Sequence, residues 1–351
     1  MSELVRVGIL KFAWINSGIV LRKSQTHMTP TVSVILPTFE RASLLEGVLK
    51  DLVSQPLQSV EVLVMDDGSK DDTADRVQAI TDPRVSYWNF GKLGVSAIIN
   101  EGFIRSSAPY IMLLHDHDQA DPGLLSALAD ALDRHPTASF AFCGYAFFDS
   151  HLEVEQERWV FDHPEFLDGK VFFERELMPK LNSPVLAVSM VRRSAVHGVL
   201  LDPSIGGCSD VELWHRLCLT GDVCYVPKIL LHIRGRDGSS QFSSPGATLD
   251  LMANILRVKH RFIEFVAQPK QAKMQKGWRR QIDRGAIYVA WKAYEANDLE
   301  VLKKASWYVS LYGSTLGKFG FRSLLAVPPP IAKSLLNVAR SISRLRKRST
   351  I

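Results

Sequence analysis

Four short strings hold the residues whose types and spacing could do chemistry: LPTFE at 36–40, MDDGS at 65–69, HDHD at 115–118 and SDVELWHR at 209–216. In the third, imidazole and carboxylate alternate. Residues two apart on a strand-exit loop can point the same way, so Asp116 and Asp118 can face one ligand together. Hard cations such as Mg²⁺ or Mn²⁺ take carboxylate oxygens and are commonly completed by phosphate oxygens, so these two aspartates with a diphosphate would make a sufficient site. A DxD triplet alone is weak evidence, because most such triplets are solvated loop. His115 and His117 also form an HxH pair, which admits a metal-dependent phosphohydrolase centre as an alternative. That centre would need further His or Asp ligands at strand ends, and none of the other eight histidines stands at a comparable strand exit.

These strings stand at particular places in a repeating pattern. VSVIL (32–36) is a short β-branched apolar run ended by Pro37, as expected of a buried parallel strand. Leu44, Leu45, Val48, Leu49, Leu52 and Val53 then fall on one face of an amphipathic helix. A second strand is expected over 60–67, an acid-led helix over 71–80, a third strand over 85–88, a helix over about 94–105 and a fourth strand over 110–114. Strand and helix alternate over roughly 85 residues, which implies a mostly parallel sheet with helices on both faces and a ligand site beyond the carboxyl ends of the strands. Each strand delivers polar groups at that end: Thr38 and Glu40, then Asp66 and Asp67, then His115 to Asp118. Carboxylates gathered at one edge repel one another unless a cation sits among them. The first strand exit, VSVILPTFE, contains no glycine. This excludes a dinucleotide-binding fingerprint and the glycine-rich phosphate loop of a nucleotidyltransferase.

Taken in order, VSVILPTFERASLLEGVLKDLVSQ, VEVLVMDDGSKDDT and GVSAIINEGFIRSSAPYIMLLHDHDQADPGLL resemble the nucleotide-sugar-binding half of family 2 glycosyltransferases, which share the α/β GT-A fold. SPVLAVSMVRRSAVHGVLLDP and SDVELWHRLCLTGDVCYVPKILLHIRGRDGSS resemble the acceptor-side half. The resemblance covers about residues 31–240. It implies an inverting transfer of a sugar from a nucleoside diphosphate, UDP- or dTDP-linked, to a hydroxyl of a glycan or lipid-linked acceptor in polysaccharide or cell-envelope synthesis. Pro37, Thr38 and Glu40 would line the nucleotide pocket, Asp67 would accept from N3–H of a pyrimidine, and Asp116 and Asp118 would be the metal and diphosphate motif. The HDHD spelling departs from a plain acidic triplet, leaving open which carboxylate binds metal directly and whether a histidine joins it. Such a displacement requires the acceptor hydroxyl to lose its proton as it attacks. Asp210 matches the family's base, although the same residue could simply lead a helix over 211–219. Trp214, one turn later, could stack on an acceptor sugar or belong to the core. His232, Arg234 and Arg236 lie where relatives often place a basic loop over the diphosphate, with Arg234 the candidate ligand. A non-catalytic glycan- or nucleotide-binding scaffold on the same fold is the other alternative.

Composition bounds the rest. The 46% hydrophobic and 23% charged chain is globular in character. Its four cysteines show no CxxC pairing and read as buried thiols of a reducing compartment, with the cytoplasm as the expected location. Residues 251–351 carry 20 Lys and Arg against 5 Asp and Glu, a net of +15, which leaves −10 for residues 1–250 within the overall +5. No zinc-finger spacing or RNP-type aromatic pattern accompanies the basic part, so nucleic acid is not the expected partner. The expected organisation is an N-terminal extension (1–28), which either precedes a true start at Met28 or forms an arm on the surface, a GT-A domain (29–245), a helical region (246–327) and a basic amphipathic tail (328–351). In that tail Ile331, Leu335, Val338, Ile342 and Leu345 form one stripe flanked by Lys and Arg. Such a tail suits peripheral contact with an anionic membrane at its inner face, and a helix seam equally well.

Overall fold

The structure, a computed structural model, describes residues 19–20, 29–181, 185, 188–205, 207–235, 244–326, 331 and 334–335. Most of the expected N-terminal extension and basic tail, and Arg236, lie outside the described residues.

The first half follows the expected alternation. β2 (Val32–Thr38), β3 (Val60–Asp66), β4 (Val85–Asn89) and β5 (Tyr110–Leu113) are parallel, joined by α1 (Ala42–Val53), α2 (Thr73–Ala79) and α3 (Val95–Arg105). A two-residue β1 (Ile19–Val20) pairs antiparallel with β4 at the edge. Because side chains alternate along a strand, Val34 and Leu36 of β2 join the core under α1, whereas Ile35 joins the opposite core under α3. Gly102 allows α3 to lie close on the sheet, for a Cβ there would stand 2.7 Å from Ile35 Cγ2.

Beyond β5 the sheet becomes mixed. The chain forms β6 (Gln119–Ala120), α4 (Leu124–Arg134), β7 (Ala138–Phe148), β8 (Glu155–Trp159), β9 (Phe166–Leu167), α5 (Gly169–Phe172), β10 (Met190–Arg192), α6 (Ser209–Thr220) and β11 (Asp222–Arg234). The order is β1-β4-β3-β2-β5-β10-β7-β11-β6, with β8 on β7 and β9 on β11. β10 runs antiparallel between β5 and β7, and β7 and β11 are parallel. The register of β11 on β7 shifts between Val226 and Ile229, around Pro227, which has no N–H to give to the ladder. Beyond that shift, β11 pairs with β6 through Leu231 with Ala120 and His232 with Gln119, which brings the end of β11 against the HDHD loop.

The rear of the chain is helical: α7 (Pro245–Phe262), α8 (Gln268–Glu295), α9 (Leu299–Tyr312) and α10 (Thr315–Leu325). Leu249, Ala286, Val289, Ala290, Leu302, Ala305 and Val309 make its own core. α7 also joins the GT-side core through Ile255, Leu256, Val258 and Phe262. The region expected to be helical, 246–327, thus holds four helices among the described residues.

One buried cation ties α7 to α6. Lys259 is 1% exposed, donates to Leu177 O, and lies 3.1 Å from His215 Nε2. His215 Nδ1 is 2.6 Å from Val211 O. Burial holds the Lys259 ammonium down at about 7 and keeps the His215 imidazole well below its usual value. Between about pH 7 and pH 10.5 the unfolded chain therefore holds a lysine proton that the folded chain does not, so stability rises with pH across that window and levels off at its lower value below about 7. Replacing Lys259 by Met removes this dependence. Thermal melts should show the melting temperature of the Lys259→Met variant exceeding the parent's most at or below neutrality, with the gap narrowing toward pH 10.

Candidate active site

The carboxyl edge of the parallel strands assembles the site. β2 ends at Thr38, β3 at Asp66, and β5 runs into His115–Asp118. Thr38 is buried and donates to Asp116 Oδ2 at 2.8 Å. The other oxygen, Oδ1, lies 3.0 Å from Arg41 Nη1 and 2.8 Å from His117 Nδ1. Burial alone would raise the Asp116 pKa, but the His117 contact, the Arg41 charge and the Thr38 hydroxyl together hold it below the usual carboxylate range. Asp118 is 1% exposed; its Oδ2 lies 2.8 Å from His115 Nδ1, and its Oδ1 accepts from the Arg234 backbone N–H at 3.0 Å.

Asp210 lies in the first turn of α6, close enough to His115 for their charges to couple. Ser209 beside it is fixed by Ser96 of α3, with the hydroxyls 3.2 Å apart, and donates to Asp202 O at 2.8 Å. Burial raises the Asp210 pKa, opposed by its contact with the Val211 N–H and by the His115 charge. Conversely, burial disfavours the His115 cation, yet its bond to Asp118 and the charges of Asp118, Asp116 and Asp210 raise its pKa overall. His115 thus couples electrostatically to both Asp118 and Asp210. A desolvated carboxyl with a raised pKa is a better proton acceptor than one exposed to water.

The donor set suits a divalent cation. His115 and His117 stack with ring centroids 5.3 Å apart, and one ligand atom from each lies within 4.8 Å of the others and of an Asp118 oxygen. Two imidazoles and a carboxylate fit Mn²⁺ better than Mg²⁺, which prefers an all-oxygen shell. Asp116, expected beside Asp118 as a ligand, has both oxygens engaged by Thr38, Arg41 and His117. Among the described residues no further His, Cys, Asp or Glu extends this group of three, so the additional ligands that a phosphohydrolase centre would require are not supplied there.

Around Asp67 the backbone makes a tight cradle. Gly68 adopts φ +87°, and a Cβ there would stand 2.8 Å from the Gly91 backbone, so the MDDGS turn and the 89–94 loop can meet only through glycine. Asp67 Oδ1 consequently accepts from the Leu93 and Gly94 N–H groups at 2.8 and 2.7 Å. Lys92 Nζ is 3.2 Å from Asp67 Oδ2 and 3.1 Å from the centroid of the exposed Phe39 ring. Asp66 points inward, to Tyr87, Asn89 and Ser69, and is a structural acid. Pro37 is half-buried, and Glu40 is exposed on left-handed backbone with its N–H donating to Ser69 Oγ.

Two expectations change. Trp214 is fully buried with its ring centroid 5.1 Å from that of Phe140, because its position in α6 faces the sheet core; it offers no face to an acceptor. The Arg234 guanidinium is engaged by backbone carbonyls, with Nε donating to His117 O at 2.9 Å and Nη1 to Ser150 O, so it clamps the HDHD loop instead of reaching into the cleft for a diphosphate. His232 is bonded to Asp121 at 2.7 Å. Sequence reasoning passed over Arg41, Phe39 and Lys92. Arg41 and Phe39 flank Glu40 just after the first strand, and that adjacency to the strand exit was the available signal.

The profile described as "Glycosyl transferase family 2" matches residues 33–200. Those residues belong to glycosyltransferase family 2. A GalNAc(5)-diNAcBac-PP-undecaprenol beta-1,3-glucosyltransferase of Campylobacter jejuni is 34% identical over 133 residues, covering 36% of this chain and 40% of that protein. A validoxylamine A glucosyltransferase of Streptomyces hygroscopicus is 35% identical over 220 residues, covering 55% of this chain and 52% of that one. This chain thus spans about half or less of the length of these two relatives. The family 2 domain also shares its fold with S. aureus TarS 1-349, solved in complex with UDP, at a TM-score of 0.55 and 13% identity over 91% of this chain and 92% of that one. The architecture is GT-A. No helix among the described residues is long and apolar enough to cross a membrane.

The position of Trp214 has a measurable consequence. Trp214→Ala should destabilise the protein by about 3–5 kcal/mol in urea unfolding, as loss of a large core side chain does; a surface stacking residue would cost no more than about 0.5 kcal/mol.

Proposed function

We propose that this protein is an inverting, divalent-cation-assisted glycosyltransferase that takes a sugar from a pyrimidine nucleoside diphosphate and delivers it to a hydroxyl of a glycan or lipid-linked acceptor. The observation that carries this reading is the convergence of Thr38, Asp116 and Asp118 at two strand ends, with Asp210 at the start of α6 coupled to them through His115. Membership of family 2, and the glucosyltransferase names of the two relatives, support the reaction class.

In this reading the pyrimidine takes the slot that Lys92 spans, between the exposed face of Phe39 and Asp67 Oδ2, with Oδ2 accepting from N3–H. Pro37 and the Glu40 backbone turn form the neighbouring wall. Asp118, His115 and His117 would hold the cation, which supplies positive charge against the departing diphosphate. Asp116 acts one step back: fixed by Thr38 and Arg41, it orients His117 through the 2.8 Å contact. Arg234 sets the height of the loop by holding His117 O and, through its own N–H, Asp118. Asp210 accepts the acceptor hydroxyl's proton while that oxygen attacks the anomeric carbon opposite the leaving diphosphate, so configuration inverts.

Two variants separate these roles. Asp210→Asn should lower transfer by about two to four orders of magnitude, the usual contribution of a positioned base, while UDP titrated calorimetrically in Mn²⁺ binds as before. Asp118→Ala should abolish the Mn²⁺-dependent part of UDP binding in the same titration. Undiminished transfer by the first variant removes the base assignment, and unchanged Mn²⁺ dependence in the second removes the cation site.

A further inference from the structure

The long helix α8 presents two unlike faces. Trp278, Ile282, Ala286 and Val289 are buried on one side, and the helix is pinned there by Trp278 Nε1 donating to Met178 O at 2.7 Å and by Gln281 bonding Pro179 O and the Leu181 N–H at 2.9 Å. On the opposite side Lys273, Lys276, Arg280 and Arg284 recur every three or four residues, all exposed, with Lys270 before them and Tyr288, 46% exposed, after them. Arg279 is exposed on the flank.

The ridge is uncompensated. Asp283 and Glu295 are the only acids in α8; Asp283 is bonded to Ser314, and Glu295 lies at the far end, 3.6 Å from Lys292. Lys270 has Glu174, but among the described residues Lys273, Lys276, Arg279, Arg280 and Arg284 form no ion pair. Five like charges along about 17 Å of helix repel one another, and nothing in the described core requires them. Each would gain from a surface of opposite charge that is flat on that scale.

We propose that this ridge docks the protein on the anionic face of a lipid bilayer, with Tyr288 at the level of the head groups. A row of exposed cations along one helix face, with an aromatic at one end, matches a planar anionic interface. It lacks the interleaved aromatic platforms that would grip a nucleic acid strand. The proposal goes beyond the transfer reaction and does not depend on the nature of the acceptor. It also concerns a different segment from the basic C-terminal tail.

Co-sedimentation of the full chain with vesicles tests it. The parent should bind vesicles of phosphatidylcholine mixed with phosphatidylglycerol, lose that binding as salt is raised, and ignore vesicles of phosphatidylcholine alone. Neutralising Lys276, Arg280 and Arg284 together with Gln should weaken binding about 100-fold, since each surface cation contributes about fivefold. A control with equal charge loss elsewhere, Lys50→Gln, Arg76→Gln and Lys303→Gln, should bind like the parent. Equal weakening in both triples, or none in the first, overturns the proposal, as does a salt-sensitive dimer in ultracentrifugation that forms without vesicle binding. UDP titration should be the same for all three proteins, which keeps failure of this docking distinct from failure of the transferase reading.

Discussion

Keeping carboxylates charged while out of water is the constraint on which this structure depends. Asp66, Asp67, Asp116 and Asp118 are all buried at one edge of the sheet, with Asp210 coupled to that edge through His115. An ionised carboxylate in such a place is unfavourable unless donors and cations surround it. Each of these acids has its own solution. Asp66 has a tyrosine, an asparagine and a serine; Asp67 has two backbone N–H groups and Lys92; Asp116 has Thr38, Arg41 and His117; Asp118 has His115 and the Arg234 N–H. Asp210 has the weakest compensation, and its raised pKa follows from that. The assignment of roles follows from this gradation: well-compensated acids hold and orient, and the poorly compensated one can take a proton.

The fold serves these acids in specific ways. Parallel pairing of β2 with both β3 and β5 puts their carboxyl ends at one edge, so residues far apart in sequence share a site. The register shift at Pro227 is followed by the pairing of β11 with β6, and through it Arg234 reaches the loop it clamps. The Ser96–Ser209 contact ties the start of α6 to α3, and the Lys259–His215 pair ties its middle to α7. Asp210 is thereby carried on an anchored helix instead of a free loop, which keeps its distance from the HDHD loop defined.

Much of this was legible in the sequence, for identifiable reasons. Strands β2 to β5 and helices α1 to α3 show up because each strand is a short apolar run ended by polar residues, and each helix has one apolar stripe. The positions of Thr38, Asp67, Asp116 and Asp118 at strand ends followed from the same pattern, whereas Asp210 was singled out by the family resemblance. β7 and β11 were harder to see. ASFAFCGYAFF is apolar on both faces because both faces are covered, so no alternation marks it, and DVCYVPKILLHIR is interrupted by a proline that sits in a register shift. The direction of Trp214 could not be read, since a helix between two apolar surfaces has no single polar face to orient it. The partners of Arg41 and Arg234 could not be read either: their ligands lie more than seventy residues away in sequence, and the choice between a phosphate and a carbonyl depends on where the loop closes.

Anomalous diffraction from crystals grown with UDP and Mn²⁺ addresses the central claim most directly. The account predicts a manganese peak bonded to Asp118 and at least one of His115 and His117, in contact with the diphosphate, with the uracil against Asp67 and Asp210 across an open cleft from the phosphate. A manganese peak remote from Asp118, or UDP bound away from this sheet edge, would contradict it.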